Sequence, residues 1–459
     1  MTRILIDLQA CQNESRFRGL GRYVKNMARE IAKIAAPGSV HLLLNSRFGH
    51  TILPLRQYFS DFVPDANIHV VELLDQADDR SERGRWRNDA SALMREAYIE
   101  MLAPDVVFMP SFFEGFIDDV VLSVHRLSRV PVVATVHDLI PLILEERYLK
   151  PDPNYSRFYR GKLAEFVGAD GLIAISEQSF KEAVELLHYP AEKAVNASEG
   201  AEPEFRPLGL SDEQKAAARA RFGVGDQFIF YTGGADSRKN LDRLMAAFAR
   251  LPQALRGEHQ LVLAGSISPG ERQHLLEKAD AVGLDRSEYK LLGFVSDADL
   301  VELYNLCEVF VFPSLHEGFG LPCLEAMQCG AAVIGSNVSS IPEVMGNDDA
   351  MFDPHSVGDM ARVLDRVLTD DAFRAELVAK GAVQAAKFSW SKSAEIALAK
   401  LLETAQPNEP GSDWTATRLR LDAVEQQLVA ALKALSGQFG HPNASDLAQI
   451  AQAMAINRV

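Results

Sequence analysis

The sequence predicts an α/β protein with two doubly wound, mostly parallel sheets and a helical extension at its carboxyl end. Short apolar runs alternate with amphipathic helical patterns along most of the 459 residues, an order that is typical of parallel sheets. The alternation starts again after a polar, proline-containing segment at 202–211, which divides the chain into two similar halves. A chain of this length is expected to form about two to four domains.

The first half carries six apolar runs of strand length, which lie at 4–8, 40–44, 68–73, 105–109, 131–137 and 171–176. Helical patterns separate several of them, as at 21–35 and 87–103. Because a strand, a helix and a second strand normally form a parallel pair, we expect one sheet with helices on both faces. The pattern predicts an amino-terminal Rossmann-like domain over 1–203.

The second half repeats the pattern, with apolar runs at 228–233, 260–265, 289–294, 308–313 and 331–336 and with helical patterns such as 239–251 and 297–307. It predicts a second Rossmann-like domain over 204–388. A further helix is expected over 389–405, a linker over 406–413 because of its Pro, Gly and Asn content, and a helical tail over 414–459. Since such folds bind ligands outside the carboxyl ends of their strands, we expect the two domains to face each other across a cleft.

Composition and charge exclude several classes of protein. A net charge of −16 argues against a general nucleic-acid binder, which needs a basic face. The four cysteines show no C-x-x-C spacing, so we expect free thiols in a reducing cytoplasm. The opening Met-Thr-Arg is followed at once by an apolar run, for which we expect a first strand and not a signal peptide. Its most apolar stretch, at 130–146, is too short and too polar to span a bilayer. Peripheral contact with the inner face of the cytoplasmic membrane stays open.

The segment at 313–330, PSLHEGFGLPCLEAMQCG, is the strongest functional signal. It follows an apolar strand, and Glu317 and Glu325 lie on either side of a turn that leads into a helix. We expect Glu317 in the loop and Glu325 in the first helical turn, where both can face a ligand at the helix amino terminus. Carboxylates there suit hydroxyl-rich ligands such as sugars and ribose. For Glu325 a structural alternative exists, because the helix dipole favours an acidic residue in the first turn without any ligand.

The segment at 231–240, YTGGADSRKN, ends a strand and places Arg238 and Lys239 just before a helix. Glycines such as Gly234 let the backbone approach a phosphate, and the two cations and the helix terminus supply matching charge. The segment is not a Walker A motif. A solvated Arg-Lys pair in a surface turn is the alternative, but the glutamates of the same half favour a ligand site.

A weaker candidate follows the first strand at 15–23. There Gly19 and Gly21 lie beside Arg16 and Arg18. The segment resembles a shortened phosphate loop, although a lone G-x-G is weak evidence. A tight turn before a solvated basic helix face is the alternative.

At 134–142, His137 and Asp138 end an apolar strand. A histidine at the carboxyl edge of a parallel strand suggests a catalytic or substrate-orienting role, and the alternative is a satisfied core residue. We find no third or fourth ligand that would make this pair a metal site. In the second half, the backbone at Gly293, Phe294 and Val295 could contact a nucleotide base, or could simply connect a strand to a capped helix.

In combination, these motifs resemble family 4 of the retaining GT-B glycosyltransferases. The resemblance covers about residues 1–403 and is densest over 228–354. It is carried by the order G-G-x-D-x-R-K-N, L-G-x-V-S-D-x-x-L, P-S-x-x-E-G-F-G-L-P-x-L-E-A-M-x-x-G and S-S-x-P-E-V. It implies the GT-B fold, in which two Rossmann-like domains face each other across a cleft and the second domain binds a nucleotide-sugar donor.

The resemblance also implies roles by position. Arg238 and Lys239 would bind the donor pyrophosphate, Glu317 the transferred sugar and Glu325 the ribose. The other implied donor contacts are Gly19, Gly21, Gly234, Gly293, Phe294, Val295, Gly318, Phe319, Gly320 and Leu321. His137 would lie near the reacting centre as a catalytic residue together with Glu317, Arg238 and Lys239, and the acceptor side would include Arg16, Arg18 and Asp138.

The implied reaction is a hexosyl transfer with retention that needs no metal and no cofactor besides the nucleotide-sugar substrate. The likeness is nearest to mannosyltransferases of O-antigen and related surface polysaccharides. We therefore expect mannose from GDP-mannose and a growing, lipid-linked glycan as acceptor. Users of UDP-sugars share every motif, which keeps a glucosyl or other hexosyl transferase open. A sugar-nucleotide epimerase and a non-catalytic scaffold are alternatives of other classes, and the tail leaves further domains or self-association open.

Overall fold

The computed structural model describes residues 1–406, 414–439 and 443–457. They form two compact units. The first comprises 1–175, 179–197 and the described residues from 391 onward, and the second comprises 176–178 and 198–390. Apart from Gln406, the predicted linker at 406–413 lies outside the described residues. The two doubly wound sheets and the helical carboxyl-terminal region that the sequence predicts are confirmed.

The first unit contains a seven-stranded sheet in which all neighbouring strands are parallel. Its order is β3-β2-β1-β4-β5-β6-β7. The strands are β1 (Ile4–Asp7), β2 (Val40–Asn45), β3 (Ile68–Val71), β4 (Val106–Met109), β5 (Val132–Val136), β6 (Gly171–Ala174) and β7 (Ala194–Asn196). Their residues are mostly buried, which matches their apolar runs because helices cover both faces of a parallel sheet. The sequence does not predict β7, whose three residues are too few to give a periodic signal.

Seven helices connect these strands: α1 (Gly19–Ile34), α2 (Gly49–Phe59), α3 (Glu82–Leu102), α4 (Ile140–Ile143), α5 (Glu145–Tyr148), α6 (Pro153–Phe166) and α7 (Glu177–Leu186). Local sequence explains where the longer ones begin. The side chains of Ser81 and Asp152 accept hydrogen bonds from backbone N–H groups in the first turns of α3 and α6, which satisfies donors that a helix leaves unpaired.

The second unit contains a six-stranded parallel sheet in the order β10-β9-β8-β11-β12-β13. The strands are β8 (Gln227–Thr232), β9 (His259–Ala264), β10 (Tyr289–Gly293), β11 (Val309–Phe312), β12 (Val333–Ser336) and β13 (Met351–Phe352). The first five match predicted strands. The sequence does not predict β13, because two residues give no pattern.

The helices of the second unit are α8 (Asp212–Phe222), α9 (Leu241–Ala249), α10 (Gln253–Glu258), α11 (Pro269–Ala281), α12 (Asp297–Leu306), α13 (Leu321–Gln328), α14 (Ile341–Met345), α15 (Val357–Thr369) and α16 (Asp371–Ala385). Capping boxes at Ser211, Ser268 and Ser296 begin α8, α11 and α12. In each, the serine hydroxyl accepts a hydrogen bond from the backbone N–H three residues later. The acidic or amide side chain of that later residue accepts one from the serine N–H.

The order of strands reverses once in each sheet, between β1 and β4 in the first and between β8 and β11 in the second. At such a switch point the connections that follow the two neighbouring strands diverge and leave a crevice at the carboxyl edge. In the second unit this topology brings the loop after β8 beside the loop after β11. These are the two loops that carry the strongest motifs of the sequence.

Three helices follow α16: α17 (Trp390–Thr404), α18 (Trp414–Phe439) and α19 (Ala444–Ile456). From residue 391 onward they belong to the first unit, where α18 packs along α3. Val424 and Leu428 of α18 and Ala453 of α19 are buried in the core of that unit. None of the described helices is long and apolar enough to cross a lipid bilayer.

Polar contacts also hold the tail in place. Arg87 of α3 donates to the Asp446 carboxylate at 2.6 Å, and both side chains are almost completely buried. The side chain of Asn457 accepts the Glu72 N–H at 2.8 Å and donates to the Glu72 carbonyl at 2.9 Å. The tail is therefore a specifically docked part of the first unit.

Candidate functional site

The loop that follows β8 is shaped by the side chains of Asp236 and Asn240. Asp236 accepts a hydrogen bond from the Arg238 N–H at 3.1 Å and begins a single 3-10 turn, Ser237–Lys239. Asn240 then adopts a left-handed conformation with φ 61°, which asparagine tolerates better than most residues. Its amide donates to the carbonyls of Pro313 and Pro354 at 3.0 and 2.8 Å. The buried Asn240 thus ties the loop after β8 to the loop after β11.

This connection brings Arg238 and Lys239 to Glu317. Lys239 Nζ lies 2.6 Å from Glu317 Oε1, and an Arg238 guanidinium nitrogen lies 2.8 Å from Glu317 Oε2. The same nitrogen of Arg238 also donates to the His316 carbonyl at 2.6 Å. The three side chains are only 11–13% exposed, so their charges are weakly screened by water.

Burial alone would raise the pKa of Glu317, but Lys239 and Arg238 outweigh it and lower the pKa to about 2. Glu317 is therefore ionised at neutral pH. Arg238 also lies 3.8 Å from the Asp236 carboxylate, which is 42% exposed, so the two cations face one buried and one partly exposed carboxylate. A carboxylate has about four lone-pair sites, so Glu317 can accept hydroxyl donors while its ion pairs persist.

Two serines fix the backbone around Glu317. Ser339 accepts the Glu317 N–H at 3.0 Å. The buried Ser340 hydroxyl lies 3.0 Å from the Glu317 carbonyl and 2.7 Å from that of Phe319. These hydrogen bonds give both serines a structural role in the loop.

Glu325 lies one turn later than the sequence predicts. Because α13 begins at Leu321, just after Gly320 with φ 111°, Glu325 is its fifth residue and the first turn holds no acidic residue. The expectation of a first-turn position is wrong, and the helix-dipole alternative loses its basis, since that effect falls off within the first turn. The carboxylate is buried and accepts a hydrogen bond from the Tyr304 hydroxyl at 3.0 Å.

The other proposed donor contacts of the second unit line its carboxyl edge. Gly234 accepts a hydrogen bond from the Tyr231 hydroxyl through its carbonyl at 2.7 Å. Phe294, directly after β10, is 76% exposed, which leaves its ring open to a planar group. Gly318, Phe319, Gly320 and Leu321 form the turn into α13, and Phe319 itself is buried against Phe388. Ser296, directly after Val295, caps α12. The loop therefore also connects a strand to a capped helix, which was the structural alternative to contact with a base.

In the first unit, α1 begins two residues before the predicted start, so that Gly19 and Gly21 lie in its first turn and not in an open loop. A Cβ on Gly21 would lie 2.4 Å from the Arg16 Cα, so close packing of the preceding turn requires glycine there. Arg16 donates to the Gln12 carbonyl at 2.6 Å, and Arg18 is exposed.

His137 lies at the carboxyl end of β5. Its Nε2 is 2.8 Å from the Pro110 carbonyl, and its ring meets the Tyr23 ring edge-on at a centroid distance of 4.7 Å. Burial lowers the pKa of His137 to about 4, so the ring is neutral at pH 7. Since a carbonyl only accepts, the neutral ring carries its proton on Nε2 and leaves Nδ1 as an acceptor. The adjacent Asp138 accepts the Ile140 N–H at 3.0 Å.

Several residues that shape this site were not singled out from the sequence. Asn240 and Tyr304 are the main ones, and their only sequence signals are an asparagine directly before a helix and a tyrosine within an apolar helical face. Among the described residues, no group of three or more His, Cys, Asp or Glu side chains is arranged to hold a metal ion.

Two family models match the chain. The model described as glycosyl transferases group 1 matches residues 212–384, and the model described as glycosyltransferase family 4 matches residues 17–204. The two matches fall on the second and the first sheet, respectively.

Curated relatives are similar over large parts of the chain. The serotype-specific mannosyltransferase WbdA of Escherichia coli is 39% identical over 429 residues, which cover 92% of this chain and 51% of WbdA. The O-antigen chain mannosyltransferase B of Escherichia coli is 33% identical over 267 residues, which cover 58% of this chain and 68% of that protein. The chain therefore spans about half the length of WbdA.

Solved structures share the fold at low sequence identity. The Anabaena protein Alr3699/HepE in complex with UDP and glucose superposes with a TM-score of 0.64 at 18% identity, covering 88% of this chain and 100% of that one. WaaG, a glycosyltransferase involved in lipopolysaccharide biosynthesis, gives a TM-score of 0.62 at 18% identity, covering 87% of this chain and 99% of that one.

Proposed function

The chain belongs to the family 4 and group 1 glycosyltransferases, and on this premise we propose that it transfers mannose from GDP-mannose to a growing bacterial surface polysaccharide. The activities named for the two Escherichia coli relatives support mannose as the sugar and O-antigen as the kind of polysaccharide. The acceptor we propose is a lipid-linked glycan at the cytoplasmic face of the membrane.

The observation that carries this proposal is the cluster of Arg238, Lys239 and Glu317 at the switch point of the second sheet. The leaving nucleoside diphosphate gains negative charge as the glycosidic bond breaks. Two nearly buried cations stabilise that charge more effectively than they would in water, because the site does not have to reorganise during the reaction. Glu317 accepts hydrogen bonds from hydroxyls of the transferred sugar, and Glu325 accepts them from the ribose.

We propose that the sugar is transferred with retention and without a covalent bond to the enzyme. A carboxylate whose pKa is held at about 2 by two cations is a weak base and a poor nucleophile. In our scheme the acceptor hydroxyl attacks on the face that the diphosphate leaves, and a departing phosphate oxygen takes the hydroxyl proton. Arg238 and Lys239 supply the positive charge for this step, and the scheme uses no metal ion.

His137 has a separate role in this proposal. With its Nε2 proton donated to the Pro110 carbonyl, Nδ1 accepts a hydrogen bond from a sugar hydroxyl near the reacting centre. The low pKa keeps the ring uncharged, so the contact orients a neutral hydroxyl and does not compete for the phosphates.

The proposal is tested with purified protein, a synthetic lipid-tailed α-mannoside and radiolabelled GDP-mannose, UDP-glucose and UDP-galactose in parallel. Incorporation from GDP-mannose alone, with an α-linked product and undiminished rate in EDTA, is the expected result. Transfer from a UDP-sugar alone would show that the donor sugar is another hexose and not mannose. Conversion of a nucleotide sugar without acceptor would favour an epimerase, and the absence of both turnover and nucleotide binding would favour a scaffold.

A further inference from the structure

Part of the motif in the loop after β11, which contains Glu317, occurs a second time in the first unit. The second unit has Pro313-Ser314-Leu315-His316-Glu317-Gly318-Phe319, and the first unit has Pro110-Ser111-Phe112-Phe113-Glu114-Gly115-Phe116. Both segments read P-S-x-x-E-G-F. Glu114 therefore corresponds in the first unit to Glu317 in the second.

The two copies occupy the same place in their sheets. β4 ends at Met109 and β11 ends at Phe312, so each glutamate lies five residues after its strand. β4 adjoins β1 at the switch point of the first sheet, as β11 adjoins β8 in the second. A crevice at the carboxyl edge is expected at both positions.

The groups assigned to the nucleotide are missing from the first copy. Arg238 and Lys239 lie six and seven residues after the end of β8, and Asn13 and Glu14 hold those places after β1. Glu325 lies eight residues after Glu317, whereas Leu122 lies eight residues after Glu114. The first unit thus keeps the sugar-binding glutamate and lacks both the diphosphate cations and the ribose carboxylate.

The carboxyl group of Glu114 lacks the ion pairs that Glu317 has. Both of its oxygens are shielded from solvent, and neither has a hydrogen-bond partner of normal geometry among the described residues. Lys162, the cation near it, donates instead to the Leu122 carbonyl. Burial raises the pKa of Glu114 to about 7; its own backbone N–H opposes this rise, as Ser111 and Lys162 do more weakly, and Asp118 adds to it. A carboxyl group in this state can both donate and accept hydrogen bonds.

The surroundings of Glu114 are suited to a sugar. Pro110, the first residue of the motif, accepts the hydrogen bond of His137, so the candidate sugar-orienting histidine lies beside it. Phe113 stacks on Tyr159 and Phe116 meets Tyr155, at centroid distances of 5.1 and 5.2 Å. Phe113, Phe116 and Tyr155 are half-buried, and aromatic rings pack well against the apolar faces of hexoses.

We propose that Glu114 binds the hydroxyl groups of a second, uncharged hexose in the first unit, namely the terminal mannose residue of the acceptor glycan. This inference rests on the proposed function for the identity of the sugar. Glu114 as a whole is half-buried, so the aliphatic part of its side chain borders the surface. A change of side-chain rotamer is the smallest movement that would bring the carboxyl group to a ligand. The acceptor hydroxyls then supply the partners that the carboxyl group lacks in the protein.

Glu114→Gln and Glu317→Gln make a crossed test, with Glu146→Gln, which removes an 81% exposed carboxylate of the first unit, as control. Binding of methyl α-mannoside is measured by saturation-transfer NMR, binding of GDP-mannose by calorimetry, and acceptor KM by transfer assay. Glu114→Gln should weaken mannoside binding and raise acceptor KM about 10- to 100-fold, the range for losing a hydrogen bond to a charged or buried group. It should leave the affinity for GDP-mannose unchanged. Glu317→Gln should weaken GDP-mannose binding and spare the mannoside.

Unchanged mannoside binding and acceptor KM in Glu114→Gln, or no mannoside binding by the wild type, would overturn the inference. If Glu114→Gln does not fold, Glu114→Asp keeps the carboxyl group, shortens the side chain by one methylene and should show the same selective loss. Failure of the proposed function gives a different pattern, in which the wild type binds mannoside through Glu114 but transfers nothing from GDP-mannose.

Discussion

Lys239 Nζ lies 2.6 Å from Glu317 Oε1, and this ion pair joins the two loops that form the candidate donor site. Its members are 78 residues apart in the chain, and each is nearly buried. Since Glu317 also pairs with Arg238, the charges of the cluster depend on one another. Removing one partner leaves a nearly buried charge with less compensation, which costs more than the loss of a surface ion pair.

Lys239→Met should therefore destabilise the protein by about 3 kcal/mol, the lower end for a broken buried ion pair, because Arg238 still compensates Glu317. Adding Glu317→Gln should recover part of this loss. Urea unfolding of both single variants and the double variant gives the coupling free energy, which we expect to be at least about 1 kcal/mol. Additive effects of the two substitutions would show that the ion pair is absent in solution.

The double variant Arg238→Ala with Lys239→Ala should lower mannosyl transfer by at least about 1,000-fold, since removal of one preorganised charge-stabilising group commonly costs about 100- to 1,000-fold. Transfer is measured with saturating GDP-mannose, and circular dichroism checks the fold. Lys215→Ala with Arg221→Ala removes two cations of the same unit that are 40% and 52% exposed and should leave the rate within about twofold. Undiminished turnover in the Arg238/Lys239 variant would refute the phosphate assignment.

The sequence was sufficient to predict the two sheets, because parallel strands are buried on both faces and appear as uniform apolar runs. It also singled out Arg238, Lys239 and Glu317, whose side-chain types suit a sugar nucleotide. It could not predict their direct ion pairs, which depend on the register of β8 beside β11. It placed Glu325 one turn too early, since the turn before α13 ends at Gly320 and local signals locate helix starts only approximately. The docking of α18 on α3 depends on contacts between distant segments and left no local signal.

Tyr304→Phe should weaken GDP-mannose binding without abolishing transfer. The substitution removes the hydroxyl that donates to the buried Glu325 carboxylate at 3.0 Å, so this carboxylate loses one stabilising donor. We expect a destabilisation of about 1–3 kcal/mol and an increase in Kd that is smaller than that of Glu325→Gln. Titration calorimetry measures the Kd values of GDP-mannose and of free GDP. Equal Kd values for the wild type and Tyr304→Phe would show that this hydrogen bond does not position Glu325.

Asp446→Ala should weaken the docking of the tail on the first unit. Arg87 would lose its partner at 2.6 Å while it remains 97% buried. Because the Asp75 carboxylate at 2.7 Å still compensates part of its charge, we expect a loss of about 3 kcal/mol, the lower end for a broken buried ion pair. Arg83 lies 3.3 Å from the same carboxylate but is 53% exposed, so Arg83→Ala should cost no more than about 0.5 kcal/mol. Limited proteolysis between α17 and α18 together with thermal unfolding distinguishes the two variants, and equal behaviour would mean that Asp446 does not anchor the tail.

His41 and His69 predict how stability depends on pH. Their rings stack at 5.2 Å, with His41 Nδ1 2.9 Å from His69 Nε2, a contact that needs one donor and one acceptor, so that at least one of the two rings must be neutral. Burial, then His69 and Arg3, lowers the pKa of His41 from 6.5 to about 4, and burial with Arg3 and Arg56 lowers that of His69. Between about pH 6.5 and 4 the unfolded chain consequently binds more protons than the folded one.

The sign follows from linkage: where the unfolded state binds more protons, the free energy of unfolding rises with pH. The contribution of the two histidines is complete above pH 6.5 and is lost as the pH falls toward their lowered pKa values, about 4 for His41. The double variant His41→Gln with His69→Gln should show a flatter dependence of stability on pH in this window. Urea unfolding at half-unit pH steps makes the measurement, and parallel curves for the wild type and the double variant would show that the stacked pair does not titrate with folding.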